Sequence, residues 1–265
     1  MKSYDKIVIK NTFFLYIMTG AKFVLPLIIT ACLTRRLGPE SYGVISYLTP
    51  VMGYFILLFD FGFDFSATKK ISQNRSNKEY IEKTIASVYT AKILLVPIGF
   101  IFLLILFFCV ELLREYFLLT VLYYISTAAQ IFIPDFLYRG LEKMEGITKR
   151  YILAKFITAV MIFVTVQDDR ELIIIPVAYL IGTVIAAVYT NHHMVKKMGY
   201  RFSLAPIKDA LSELKVSSIY FMSTFASTAL SVTSTFVMGI VGMPVEEIAY
   251  WGVAFQVVQA VQAMY

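Results

Sequence analysis

Residues 84–110 read TIASVYTAKILLVPIGFIFLLILFFCV, 27 residues whose one charge is Lys92. A helix rises 1.5 Å per residue, so about 20 apolar residues cross a hydrocarbon core of about 30 Å, and this stretch is long enough. Working outward, seven more stretches read likewise: 11–33, 43–66, 116–138, 151–167, 172–190, 216–240 and 248 to the end. The segment 151–167 is short and carries Lys155 near one end. Backbone groups in lipid find no water to bond, so each span is expected to be helical. The reading is an all-α polytopic membrane protein with about eight transmembrane helices.

Composition agrees. Of 265 residues 58% are hydrophobic and only 16% charged, with mean hydropathy +0.72. Soluble domains carry about 25% charged residues, so a water-soluble globule is excluded, and disordered, collagenous and disulfide-rich scaffolds with it. Cys32 and Cys109 lie in apolar runs, which suits lipid-embedded thiols better than a bridge or a metal site. The net charge of +6 could suggest a nucleic-acid binder, but the basic residues cluster between apolar segments, so no nucleic-acid partner is expected.

Those clusters orient the chain. One side holds Lys2, Lys6 and Lys10, then Lys69, Lys70, Arg75, Lys78 and Lys83, then Arg139, Lys143, Lys149 and Arg150, and finally Lys196, Lys197, Arg201, Lys208 and Lys215. The other side holds Arg35, Arg36, Arg114 and Arg170. Seventeen against four predicts a cytoplasmic N-terminus. A signal peptide is the rival reading of residues 1–33, since Ile29-Thr30-Ala31-Cys32 resembles a lipoprotein cleavage box. The apolar stretch is too long for an h-region and is interrupted by Lys22 and Pro26.

In the inner loop 203–215, Leu204, Ile207, Leu211 and Leu214 recur at helical spacing, with Lys208, Asp209, Ser212 and Glu213 on the other face. This predicts an amphipathic helix on the cytoplasmic leaflet, either a tether between halves or an ordinary surface helix. The organisation expected is an N-terminal lobe over 1–190, a cytoplasmic linker over 191–215, and the start of a second lobe over 216–265. Tyr265 falls in mid-span, which suggests a truncated product or a fragment.

Polar residues inside the spans form stripes. At 100° per residue, Thr12, Tyr16, Thr19, Lys22, Pro26 and Thr30 share an arc of about 120° on the first span. Lys22 is near its middle, where a charge costs about 2.5–3.5 kcal/mol, so it should face a watery cavity or an acidic partner. A structural ion pair with an aspartate of the second span is the plain alternative. On that second span Tyr42, Ser46, Thr49, Gly53, Asp60 and Asp64 share a face, and the two aspartates suit either a gating and ion-coupling role or an interfacial charge pair. The seventh span aligns Ser217, Tyr220, Thr224, Ser227, Ser231 and Thr235, and the eighth Gly252, Gln256, Gln259 and Gln262. Each stripe alone could be helix packing, whereas four together imply an internal wet surface.

The loops 38–47 and 242–251 echo each other faintly, as a parallel six-plus-six repeat would require, with the second copy represented by two helices. His192 and His193 are adjacent and point apart on a helix, which makes no metal pair, and no phosphate loop, nucleophile elbow or zinc spacing is present. Asp168-Asp169-Arg170-Glu171 reads as a solvated turn rather than a metal site. The chain is therefore not expected to be an enzyme.

Several runs resemble a known family. Thr34-Arg35-Arg36-Leu37-Gly38-Pro39-Glu40-Ser41-Tyr42-Gly43, the run from Asp60-Phe61-Gly62-Phe63 through Lys69-Lys70-Ile71-Ser72, and Gln259-Ala260-Val261-Gln262-Ala263-Met264-Tyr265 look like the signatures of bacterial polysaccharide repeat-unit flippases. These are the Wzx-type O-antigen transporters of the multidrug/oligosaccharidyl-lipid/polysaccharide exporter superfamily. The resemblance implies two lobes of six helices around a central cavity in the bacterial inner membrane. It also implies a flippase that carries undecaprenyl-diphosphate-linked oligosaccharide, an O-antigen or capsule repeat unit, to the periplasmic leaflet by alternating access. On this reading Lys22, helped by Lys92, attracts the diphosphate. Tyr16, Thr19, Thr224, Ser227, Gln256 and Gln259 hydrogen-bond the sugars, while the lipid tail stays in the bilayer. Asp60 and Asp64 gate or couple. No cofactor is expected beyond a coupling proton or sodium ion, and a polymerase and a chain-length regulator of the same pathway are the protein partners. A drug/cation antiporter of the same fold, or a membrane component of glycan polymerisation or ligation, is the alternative.

Overall fold

The computed structural model describes the backbone of residues 2–262 and the side chains of 8–228 and 233–262. Ala263, Met264, Tyr265 and the side chains of Lys2, Lys6 and Ser231 lie outside the described residues. The described chain is helical throughout: α1 Lys2–Arg36, α2 Pro39–Asp60, α3 Phe63–Gln73, α4 Lys78–Cys109, α5 Glu111–Glu115, α6 Phe117–Ala128, α7 Asp135–Gly140, α8 Met144–Thr165, α9 Ile174–Lys196, α10 Ile207–Ile240 and α11 Val245–Gln262. A 3₁₀ turn Ala129–Phe132 links α6 to α7, and another, Asp169–Glu171, precedes α9.

Among the described residues five stretches are long and apolar enough to cross a bilayer: Val8–Arg36, Pro39–Gln73, Lys78–Cys109, Phe117–Gly140 and Ile174–Lys196. The parts Ile207–Thr228 and Thr233–Ile240 of α10, bent by 70°, make a sixth if taken as one span. The chain is an all-α polytopic membrane protein, and among the described residues five or six of the eight expected spans meet this criterion of length and composition. The segments 151–167 and 248 to the end form α8 and α11. They fall short because α8 carries Lys149, Arg150 and Lys155, and α11 opens on Glu246 and Glu247 and carries three glutamines. Lys155 lies over the Tyr179 ring at 4.8 Å, a cation–π contact that gives its charge a partner.

Two predicted spans are interrupted. The stretch 43–66 breaks where Phe61 (φ 45°) and Gly62 (φ 78°) both turn left-handed, ending α2 after Asp60. Gly62 is required twice, because a Cβ there would lie 2.7 Å from the Phe221 nitrogen of α10 as well as strain the backbone. The stretch 116–138 breaks at the 3₁₀ turn and Pro134, so that α7 begins at Asp135.

The helix foreseen at 203–215 is the first two turns of α10, continuous with the seventh predicted span. Its acidic side turns inward: Glu213 accepts from Lys70 at 2.7 and 2.9 Å, and Asp209 lies 3.6 Å from Lys83. Ser217 meets Ser66 at 2.6 Å one turn further on.

Helix α2 is the hub, flanked by α11, α10, α6 and α4, while α1 packs on α8 and α8 on α9. Glycines let the backbones close in: Gly239 faces the fully buried Tyr47 ring, and Gly252 faces Ser46. The turns from α1 to α2 and from α8 to α9 are tied down too. Arg36 donates to the Phe163 and Val166 carbonyls that end α8, and the Gly38 amide donates to Asp169 at 2.9 Å. Asp169 is thus a cap for the start of α2 rather than a merely solvated residue. On the opposite side Lys10 and Lys149 clamp Glu145 and hold its carboxyl down to about 2, so the tie between α1 and α8 stays charged at neutral pH.

Gly43 offers a direct test of this packing. A Cβ there would sit 2.1 Å from the Val245 carbonyl oxygen, whereas one at Gly53 meets nothing within 4 Å. We expect Gly43→Ala to lower the thermal midpoint of the purified protein by an amount equivalent to about 1–3 kcal/mol, as overpacking does. Gly53→Ala should be neutral or stabilising, since alanine is favoured over glycine in a helix by about 1 kcal/mol. Equal midpoints for both variants would show that α2 and α11 are not so closely packed.

Candidate functional site

Both helix interruptions open onto one cavity of about 250 Å³. Asp60 ends α2, Asp64 lies in the first turn of α3, and Asp135 begins α7, so each carboxylate is placed there by a break. Four cations face them: Lys22 from the middle of α1, Lys92 from α4, Arg139 from α7 and Arg150 from α8. Thr127, Gln130 and Tyr151 add neutral polar groups. With its charged lining, the cavity has room for an anionic headgroup.

The charges pair in an ordered way. Lys92 Nζ lies 3.4 Å from Asp60 Oδ1, Arg139 lies 3.0 Å from Asp64, and Arg150 donates to Asp135 Oδ2 at 2.7 Å. Lys92 also lies over the rings of Phe63 and Phe136, at 6.0 and 5.7 Å. Three carboxylates therefore neutralise three of the four cations. Lys22 has no ion pair within 4 Å among the described residues, and the pairing with a second-span aspartate that the sequence left open is not formed. Asp135 Oδ1, Arg139 Nε and Arg150 Nε are buried without a hydrogen-bond partner, so the cavity wall has unused bonding capacity of both signs.

Of the residues singled out in the sequence, Lys22, Lys92, Asp60 and Asp64 come together here. Tyr16 and Thr19 are exposed on α1 and do not line the cavity. Thr224 and Ser227 of α10 donate to carbonyls of their own helix, those of Tyr220 and Ser223. Gln256 accepts from Thr30 at 2.6 Å, which joins α11 to α1, and Gln259 is half-buried on the same helix. Thr30 and Gln256 thus meet across two helices, and none of these six predicted residues lines the charged cavity. His193 bonds the Tyr138 hydroxyl at 2.9 Å, and among the described residues no three His, Cys, Asp or Glu side chains are placed to hold a metal ion.

Sequence reading missed Asp135, Arg139 and Arg150. In the sequence the arginines read as loop charges, and Asp135 falls inside the apolar stretch 116–138. An acidic residue after proline in an apolar run, followed by arginine four residues on, is the signal that could have found the site. A second cavity of about 550 Å³ lies between α2, α4 and α10, walled by Phe55, Phe102, Phe221 and Phe236 and free of charge, with Tyr54 and Thr233 hydroxyls 2.9 Å apart at its edge.

Residues 8–265 match the family described as polysaccharide biosynthesis protein, and the chain belongs to that family. It is 26% identical over 240 residues to an Escherichia coli (strain K12) protein named "Putative O-antigen transporter", a match covering 89% of this chain and 57% of that protein. A Shigella dysenteriae protein of the same name is 25% identical over 231 residues, covering 83% and 55%. The chain spans little more than half the length of the curated relatives it matches. No solved structure matches it.

Proposed function

We propose that this member of the polysaccharide biosynthesis protein family moves an undecaprenyl-diphosphate-linked oligosaccharide from the cytoplasmic to the periplasmic leaflet of the bacterial inner membrane by alternating access. The observation that carries the reading is the charge balance of the cavity: three carboxylates face four cations, and the uncompensated one is Lys22. An ammonium in a membrane-embedded site is costly unless an anion meets it. A diphosphate is such an anion, and its oxygens also suit the unused Arg139 and Arg150 Nε donors. Lys92, paired with Asp60, serves the substrate by exchanging partners rather than as a free charge. Asp60 and Asp64 are the groups through which a proton or sodium ion would couple, because neutralising either frees a cation for the substrate. The lobes are assigned as 1–190 and 216–265, joined through 191–215. A drug or cation antiporter needs a carboxylate left over for its cargo, and here Asp60, Asp64 and Asp135 each face a cation.

The test uses the intact protein in liposomes. Binding of undecaprenyl diphosphate-linked sugar should exceed that of the same sugar on undecaprenol by about 10- to 100-fold, the worth of one charge-assisted contact of about 1.5–3 kcal/mol. Equal binding of the two lipids would refute the diphosphate as the recognised group. Orientation is tested separately: with Cys32 and Cys109 replaced, single cysteines at Ser76 and Ser203 should resist an impermeant thiol reagent added to intact cells. Ready labelling of either would place the N-terminus outside.

A further inference from the structure

The first turns of α10 and the residues before them turn an unusual face outward. Phe202, Leu204, Ile207 and Leu211 are 46–60% exposed, although Glu213 and Asp209 beside them are engaged with Lys70 and Lys83. The ion pairs fix the roll of the helix: with its acidic side held against α3 and α4, its apolar side cannot turn in. Arg201, Lys208 and Lys215 are exposed and form no ion pair among the described residues; Lys208, grouped in the sequence with the acidic side, stands about 100° from Ile207 at the edge of the apolar face rather than with the engaged acids. The local acids are already used, so the outward surface combines apolar side chains with uncompensated positive charge. The helix runs on without a break into the apolar stretch whose Val216, Ile219 and Met222 are also exposed, which places this face where the hydrocarbon gives way to headgroups. Leu211 and Lys215 are four residues apart on α10, so there an apolar group and a cation stand one above the other, while Leu204 lies in the non-helical residues before Ile207.

We propose that this face is a binding site for anionic phospholipid headgroups, with Leu204, Ile207 and Leu211 seated among the upper acyl segments and Arg201, Lys208 and Lys215 on the phosphates. Each basic residue near an anionic leaflet contributes about 1 kcal/mol, a factor of about five, and apolar insertion adds to it. The site is separate from the charged cavity, and bound lipid there would hold α10, the helix that packs on both α2 and α4, at a fixed depth.

Hydrogen–deuterium exchange of the amides at 202–204, which precede the first helical turn, reports occupancy. The intact protein is compared in nanodiscs of phosphatidylcholine with and without phosphatidylglycerol, and in detergent alone. Exchange should slow when phosphatidylglycerol is added, and each of Arg201→Gln, Lys208→Gln and Lys215→Gln should lower that protection by about fivefold. The variants' thermal midpoints in detergent should equal that of the wild type, which separates lost lipid from lost fold. Three outcomes overturn the proposal: identical exchange with and without the anionic lipid; protection unchanged by the glutamine substitutions; or protection already complete in detergent, which would mean that no anionic headgroup is needed to cover these amides.

Discussion

Replacing Lys22 by alanine in the intact protein should reduce surface polysaccharide in a flippase-deficient strain by about 10- to 100-fold, the effect of losing one charge-assisted contact to the substrate. Protein yield and thermal midpoint should stay at wild-type levels. The structure makes the second half of that expectation specific: Asp60, Asp64 and Asp135 are held by Lys92, Arg139 and Arg150, so removing Lys22 strands no carboxylate. Lys22→Arg should retain part of the activity, because the charge persists while its donor geometry changes. Were Lys22 instead a structural ion-pair partner, Lys22→Ala would lower yield and a second change at the aspartate would restore it. Normal surface polysaccharide with Lys22→Ala would remove the substrate-binding role altogether.

That contrast rests on facts of different visibility in the sequence. Helical spans were legible because lipid leaves the backbone no alternative, and stretches such as 84–110 are far too apolar for anything else. The break at Phe61 and Gly62 was hidden, since Asp60-Phe61-Gly62-Phe63-Asp64 continues an apolar run and nothing about phenylalanine announces a φ of 45°. It is tertiary contact, α10 pressing on Gly62, that accompanies the turn. Depth alone singles out Lys22 in the sequence, but its having no ion pair among the described residues depends on Arg139 and Arg150 facing inward. Charge counting put both in a loop because it measures distance from a span and not direction. The amphipathic stretch 203–215 was legible as a pattern, while the side it presents was decided by Lys70 and Lys83, more than a hundred residues away.

The pair Arg150–Asp135 should cost more to break than Arg139–Asp64. Their side chains are 9% and 23% exposed, against 34% and 26% for Arg139 and Asp64, so less water is at hand to solvate whichever partner remains. Removing one member of a buried pair typically costs about 3–5 kcal/mol, whereas replacing both by apolar groups of similar size is often neutral or better. We therefore expect Arg150→Ala to lower the thermal midpoint and the folded yield sharply, Arg139→Ala to do so less, and Arg150→Met combined with Asp135→Leu to recover most of the loss. The double variant should nonetheless fail to restore surface polysaccharide, since it removes a donor from the cavity wall while leaving Lys22 in place. Stability and transport would then separate: the carboxylates keep the empty cavity folded by holding the arginines, and the incoming anion takes over that role. A double variant no more stable than Arg150→Ala would show that the pair is not the determinant, and a double variant with full transport would show that Lys22 suffices without it.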